Sequence, residues 1–268
     1  MNLFIGGGPV VSLPAEKLFD IGPIHFTNSM MLGIIGVSIT FWLFWYTKSK
    51  IQSNKHTRVS IAMLWMFDIL LGTAEEVLGS REMAVKLSPL AISLFFIILI
   101  NNWLELLPFV GPITYNGLPL FRGLAADLNF TAALAIITMV TAQIWAIRTH
   151  GFFGNLGRYF VNPLKDPVGV FTGFLEIIAE FSRLIALAMR LFGNIFGGEV
   201  LLAVMGFITV WAAPIALPPF MFLELFVGAI QAYVFFMLTV VFVSLGTASH
   251  HEVASSDEPL TLAGEVAV

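Results

Sequence analysis

No cysteine occurs in the 268-residue sequence, which excludes disulfides, thiolate metal sites and cysteine nucleophiles. Charge is also scarce: Asp, Glu, Lys and Arg make up 11% of the chain, against about 25% in a soluble domain, so a water-soluble globule is excluded. A formal charge of −4 leaves no basic surface for nucleic acid. The five histidines, His25, His56, His150, His250 and His251, all stand at or beyond the ends of the apolar runs. No Ser/His or metal-ligand cluster therefore falls inside those runs, and no intramembrane hydrolase, metal site or cofactor is expected. No internal repeat is visible. What is abundant is apolar: 58% hydrophobic residues, 26 of them Phe, with a mean hydropathy of +0.90. The chain reads as an all-α polytopic membrane protein, with the bilayer as its solvent.

A hydrocarbon core about 30 Å thick needs roughly 20 apolar helical residues. Stretches nearly free of charge run over 27–46, 86–105, 127–148, 200–223 and 225–248. Upstream of the fourth, 168–199 is apolar yet carries Glu176, Glu180, Arg183 and Arg190. This pattern predicts one long helix of about 168–212 returning through another of about 219–248, with Pro214, Pro218 and Pro219 placing the turn near 213–219. Five membrane helices result. The segment 58–79 is interrupted by Asp68, Glu75 and Glu76 and is expected to lie along the membrane surface, and 107–126 to be a Pro- and Gly-rich loop. Lys and Arg number nine in 48–86 and 148–165 but two, Lys17 and Arg122, on the opposite side. That asymmetry places the N-terminal segment 1–26 outside, a single transmembrane unit over 27–248, and the tail 249–268 in the cytoplasm. No Lys or Arg precedes Leu3-Phe4-Ile5, so a cleavable signal is not expected.

An ionisable side chain at membrane depth costs about 2.5–3.5 kcal/mol on insertion scales, so each is a functional hypothesis by default. Glu180 and Arg183 are spaced to neutralise each other. Arg190 has no acid three or four residues away. Around it on an ideal helix, within about 60°, project Ala179, Ala186, Gly193, Asn194 and Gly197, with Leu187 the one bulky member at the edge of the arc, so the face is largely a lane of small side chains with one cation that cannot deprotonate. Small residues permit close helix packing; the guanidinium implies that the partner brings an anion. An antiparallel hairpin would bring Glu224 near Glu199 and Gln231 near Arg190.

The segment Met189-Arg190-Leu191-Phe192-Gly193-Asn194-Ile195-Phe196-Gly197-Gly198-Glu199 resembles subunit a of the rotary F-type ATP synthase, the stator of its membrane proton channel. The likeness extends through Glu176, Ser182-Arg183, Glu224 and Gln231, and back to Asn101-Asn102-Trp103-Leu104-Glu105-Leu106-Leu107-Pro108 and Asp127-Leu128-Asn129. It implies a strongly tilted helix hairpin around a ring of c subunits, with Arg190 as the gate facing each ring carboxylate and separating two aqueous half-channels. Glu199 and Glu224 would line the outer half-channel, with Asn194 and Gln231 near its inner end and Glu105 and Asp127 extending it outward. Glu176 and Glu180 match positions on the cytoplasmic side; Arg183 matches a basic position of structural character. The implied partners are the c-subunit ring, the peripheral-stalk b subunits, the soluble catalytic sector and the lipid bilayer, in a bacterial plasma membrane. Phosphorylation chemistry would belong to the soluble subunits. Many members place one acid and one histidine where this chain has Glu199 and Glu224, and two carboxylates titrate as a coupled pair. A secondary transporter or self-contained channel also tolerates intramembrane charge, but no inverted repeat supports it.

Overall fold

The computed structural model describes residues 15–21, 24–54, 57–107, 110, 113–115, 118–159 and 167–247. The expected tail 249–268, residues 1–14, His56, Pro108, Pro112 and Pro163 lie outside the described residues. Six helices carry the chain: α1 (Asn28–Gln52), α2 (Arg58–Leu78), α3 (Arg81–Glu105), α4 (Leu128–Tyr159), α5 (Pro167–Thr209) and α6 (Ala213–Thr247). Two short antiparallel ribbons, β1 (Lys17–Ile21) with β2 (Ile24–Thr27) and β3 (Thr114–Tyr115) with β4 (Leu118–Pro119), precede α1 and punctuate the 107–126 loop. By length and composition α1, α3, α4 and the continuous apolar stretch Val170–Thr247, which contains both legs of the α5–α6 hairpin, are able to cross a membrane. The all-α membrane architecture follows. Helix α2 is not among the crossing candidates. It buries one stripe, Ser60, Met63, Leu70 and Ala74, and its start is tied by the Ser60 hydroxyl, which accepts from the Thr57 N–H (2.9 Å) and donates to the Thr57 carbonyl (2.9 Å). Gly79, in the left-handed region at φ 64°, ends it and turns the chain into α3.

Helix α3 is the hub, packing against α1, α2 and α6. Buried residues therefore ring it, from Ala84 and Leu87 through Phe95 and Phe96 to Asn101 and Asn102. Apolar contact gains little over lipid inside a bilayer, so helix association rests on dispersion, close approach and hydrogen bonds. Phe96 is met by Phe44 of α1 at 5.4 Å and Phe67 of α2 at 5.8 Å, and Phe95 by Phe236 of α6 at 6.5 Å. Pro89, inside α3, removes the N–H that would serve the Val85 carbonyl. The Ser88 hydroxyl donates to that carbonyl instead (2.9 Å), the kind of repair a low-dielectric solvent demands.

The α5–α6 turn falls earlier than the prolines suggest. Reversal occurs at Val210–Ala212, a single 3-10 turn with Val210 at φ 40°, and α6 begins at Ala213 rather than near 219. Pro214 stands in the first helical turn, where backbone N–H groups have no intrahelical partner and a proline costs nothing. Pro218 and Pro219 lie inside α6, so they modify its first turns instead of ending it. Helix α4 carries a break of its own: Gly151, at φ 75° and ψ 162°, is non-helical within it, a conformation open in practice to glycine.

The α1–α3 contact depends on one missing methyl. A Cβ at Gly36 would overlap the Asn101 side chain, whereas one at Gly72 of α2 meets nothing within 4 Å. Gly36→Ala should displace Asn101 at a cost of about 1–3 kcal/mol, lowering the thermal midpoint of the detergent-solubilised protein, with Gly72→Ala as the unchanged control. Equal midpoints for the two variants would show that α1 does not seat on Asn101.

Candidate functional site

Helix α5 buries one face and leaves the other uncovered. Leu187, Ala188, Leu191, Phe192 and Ile195 are buried, while Ala179, Ala186, Arg190, Gly193 and Gly197 are exposed. A Cβ added at Gly193 or Gly197 would meet nothing within 4 Å, so the lane around Arg190 is open space. Among the described residues Arg190 has no ion-pair or hydrogen-bond partner. Asn194 is half-buried at the lane's edge. Gln231 on α6 is 7% exposed, and its Nε2 meets no acceptor among the described residues.

Toward the far end of α5 a second group of charges is gathered around a buried cation. Arg122 is 4% exposed and donates to Glu199 Oε2 from both Nε (3.2 Å) and Nη2 (3.1 Å). Its guanidinium also lies 6.0 Å from the centre of the Phe196 ring. Glu105 is within electrostatic reach of Glu199, Glu224 and Arg122, and Glu16 within reach of Glu199. Two glycines make the approach geometric: the Glu224 carboxylate fills the space a Cβ would need at Gly198, and the Glu105 carboxylate fills it at Gly123. Helix α3 is held against α6 beside them by Trp103 Nε1, donating to the Leu225 carbonyl (3.2 Å), and Asn102 Nδ2, donating to the Gly228 carbonyl (3.3 Å). Carboxylates from α3, α5 and α6 thus stand close to one another and to a single guanidinium, an arrangement in which each charge acts on the others.

Asp127 is oriented elsewhere. Its Oδ2 accepts from Ser29 Oγ (3.2 Å) and its Oδ1 from the Asn129 N–H (2.9 Å), which makes it a cap for α4 and a tie to α1. Near the start of α5, Glu180 accepts from Gln143 Nε2 of α4 (2.6 Å). Arg183 donates to the Ala179 carbonyl (3.3 Å) and lies over the Phe242 ring at 5.8 Å, so its charge is directed to backbone and ring rather than to Glu180. Glu176 is half-buried one turn earlier.

The residues that sequence reasoning passed over are Arg122, counted only as a loop charge, and Glu16, Gln143 and Asn155. Arg122 carried a usable signal: one of two cations on the side poor in cations, within the Pro- and Gly-rich loop between two acids, Glu105 and Asp127. The others are joined to the site only by contacts distant in sequence.

Because Arg122 is buried, removing it strands a carboxylate. Arg122→Met should destabilise the protein by about 3–5 kcal/mol, and Arg122→Met combined with Glu199→Met should recover most of that loss. Thermal unfolding of the four members of this cycle measures the coupling. Strictly additive losses would mean that the two side chains do not support each other.

The family model described as ATP synthase A chain matches residues 29–244. ATP synthase subunit a of Enterococcus faecalis is 30% identical over 236 residues, covering 85% of this chain and 95% of the relative. That of Acidothermus cellulolyticus is 31% identical, covering 86% and 79%, and that of Enterococcus hirae 32% identical, covering 84% and 94%. The matched span contains the uncovered arginine, both legs of the hairpin and four of the gathered charges, and the chain belongs to the ATP synthase A chain family.

Proposed function

We propose that this protein is the stator subunit of the membrane sector of a rotary ATP synthase, coupling proton translocation to rotation of a ring of c subunits. The observation that carries the reading is Arg190: a permanent cation, exposed on a lane of small residues, with no anion of its own among the described residues. A cation at membrane depth needs a countercharge, and a ring of carboxylates moving past the lane supplies one at each step.

A carboxylate beside a guanidinium is favoured in its charged form. Each ring carboxylate therefore gives up its proton as it reaches Arg190 and is reprotonated after leaving it. On this reading protons arrive from outside through Glu105, Glu199 and Glu224, with Asn194 and Gln231 toward the lane and Asp127 at the outer margin. They leave to the cytoplasm past Glu180 and Glu176. Arg190 stands between, so no proton crosses without a ring step. A membrane potential of 100 mV supplies about 2.3 kcal/mol per charge moved, and several protons together drive phosphorylation in the soluble sector. The chain itself carries no catalytic chemistry in this scheme. The c ring, peripheral-stalk b subunits and soluble catalytic sector are its partners, and the bacterial plasma membrane its location.

Vesicles holding the whole complex with Arg190→Ala should lose ATP-driven proton pumping while assembly is intact and passive proton leak is preserved or increased. Pumping at the level of the unmodified complex would show that the arginine is packing material and remove the basis of the mechanism.

A further inference from the structure

Helix α4 does something at its cytoplasmic end that a straight helix cannot. Asn155 Nδ2 donates to Gln143 Oε1 at 3.1 Å, although twelve residues of straight helix would separate the two by about 18 Å. The non-helical Gly151 between them (φ 75°, ψ 162°) folds the following turn back onto the helix. Asn155, at 7% exposure, is buried by that fold while its neighbours Phe152, Phe153 and Leu156 stay exposed.

An amide side chain has one accepting and one donating end. With Oε1 of Gln143 held by Asn155, its Nε2 is directed at Glu180 Oε1, 2.6 Å away. Glu180 in turn lines a narrow crevice of about 20 Å³, room for a single water, together with Gln143, Arg183, Phe242 and Gly246. The crevice is closed on one side by the approach of α6 to α4: a Cβ at Gly246 would stand 3.3 Å from the Ala142 carbonyl. Asn155 Oδ1 is buried without a partner among the described residues, an acceptor available to water. The charged residues lining the crevice are Glu180 and Arg183, both from α5; α4 contributes Gln143, and α6 contributes Phe242, Leu245 and Gly246. Glu176 stands one turn back on α5, and His150 lies at the kink itself.

We propose that Gln143 and Asn155, brought together by the Gly151 kink, form a positioning relay that holds Glu180 at this crevice and so sets the proton outlet on the cytoplasmic side. The inference rests on the proton-translocating reading above. Neither amide carries the proton; each fixes the orientation of the next group, and the carboxylate exchanges protons with water in the crevice. Loss of Gln143 removes the hydrogen bond that orients Glu180 Oε1, loss of Asn155 removes the one that orients Gln143, and either alters how readily the carboxylate exchanges with the cytoplasmic phase.

The test is passive proton conduction through inverted vesicles from which the soluble catalytic sector has been stripped, so that the bath titrates the cytoplasmic face. Gln143→Leu and Asn155→Leu should each lower conduction roughly tenfold at neutral pH and displace its dependence on bath pH by about one unit. The double variant should go no further than either single one. Should Gln143→Leu fail to assemble, Asn155→Leu carries the test from the far end of the relay. An unmoved pH profile, whether conduction is unchanged or uniformly reduced, would overturn the relay. Arg190→Ala in the same vesicles, before stripping, separates the two failures: continued ATP-driven pumping there defeats the stator reading, whereas lost pumping with unmoved amide profiles defeats only the relay.

Discussion

A guanidinium that cannot discard its charge, set at membrane depth and left uncovered, is the constraint around which the rest is organised. The interior charge of Arg122 is answered by Glu199, and that of Arg183 by a carbonyl and an aromatic ring. Arg190 is answered by nothing among the described residues of its own chain. The buried side of α5 behind it, Leu187, Leu191 and Ile195, is wholly apolar. Glu180 lies ten residues before Arg190 and Glu199 nine after it, about 15 Å and 13 Å along the axis. One helix thus separates two polar sites by an apolar stretch with a fixed charge at its middle, the arrangement on which the proposed coupling to a moving partner rests.

Glycine serves two opposite purposes along this helix pair. At Gly198 and Gly123 the absent Cβ is room taken by the carboxylates of Glu224 and Glu105, and at Gly228 it lets Asn102 approach α6. At Gly193 and Gly197 the same absence leaves emptiness. Composition does not distinguish the two cases, because both appear as small residues at helical spacing. Only the neighbour decides: Gly198, Gly123 and Gly228 meet polar side chains of this chain, and the lane glycines face outward beside Arg190.

Much of the architecture was legible in the sequence because it is local. The helices near 58–79, 86–105 and 127–148 and the long charged first leg of the hairpin follow from the length of the apolar runs and from breaks at charge, proline and glycine. The α5–α6 turn was misplaced by a few residues, since Pro214 and the Pro218-Pro219 pair were read as terminators, whereas Pro214 falls in the first turn of α6, where a helix accommodates proline readily, and Pro218 and Pro219 lie inside it. Arg190 was legible as well, because an acid-free neighbourhood on its own helix is a sequence property. The bidentate use of Glu199 by Arg122 was not, for it joins residues 77 apart in the chain. The Asn155–Gln143 contact was hidden for a different reason: it contradicts the helical spacing that sequence reading assumes, and only the Gly151 kink makes it possible.

The two polar sites differ in how their carboxylates are held, and the difference matches their places in the proposed path. On the side proposed as outer, carboxylates from α3, α5 and α6 are gathered about one cation, so in the proposed path protonation at one would alter the others and the site would serve as a small reservoir. On the inner side, Glu180 is held by the neutral amide of Gln143, which directs it without adding charge. A reservoir feeding the ring benefits from several exchangeable protons close together. An outlet benefits from a single acceptor kept facing water, since a proton released there must not return before the ring has moved. On the proposed path Arg190 stands between the two, and by favouring the charged form of a ring carboxylate opposite it it leaves a ring step as the way a proton passes from one site to the other.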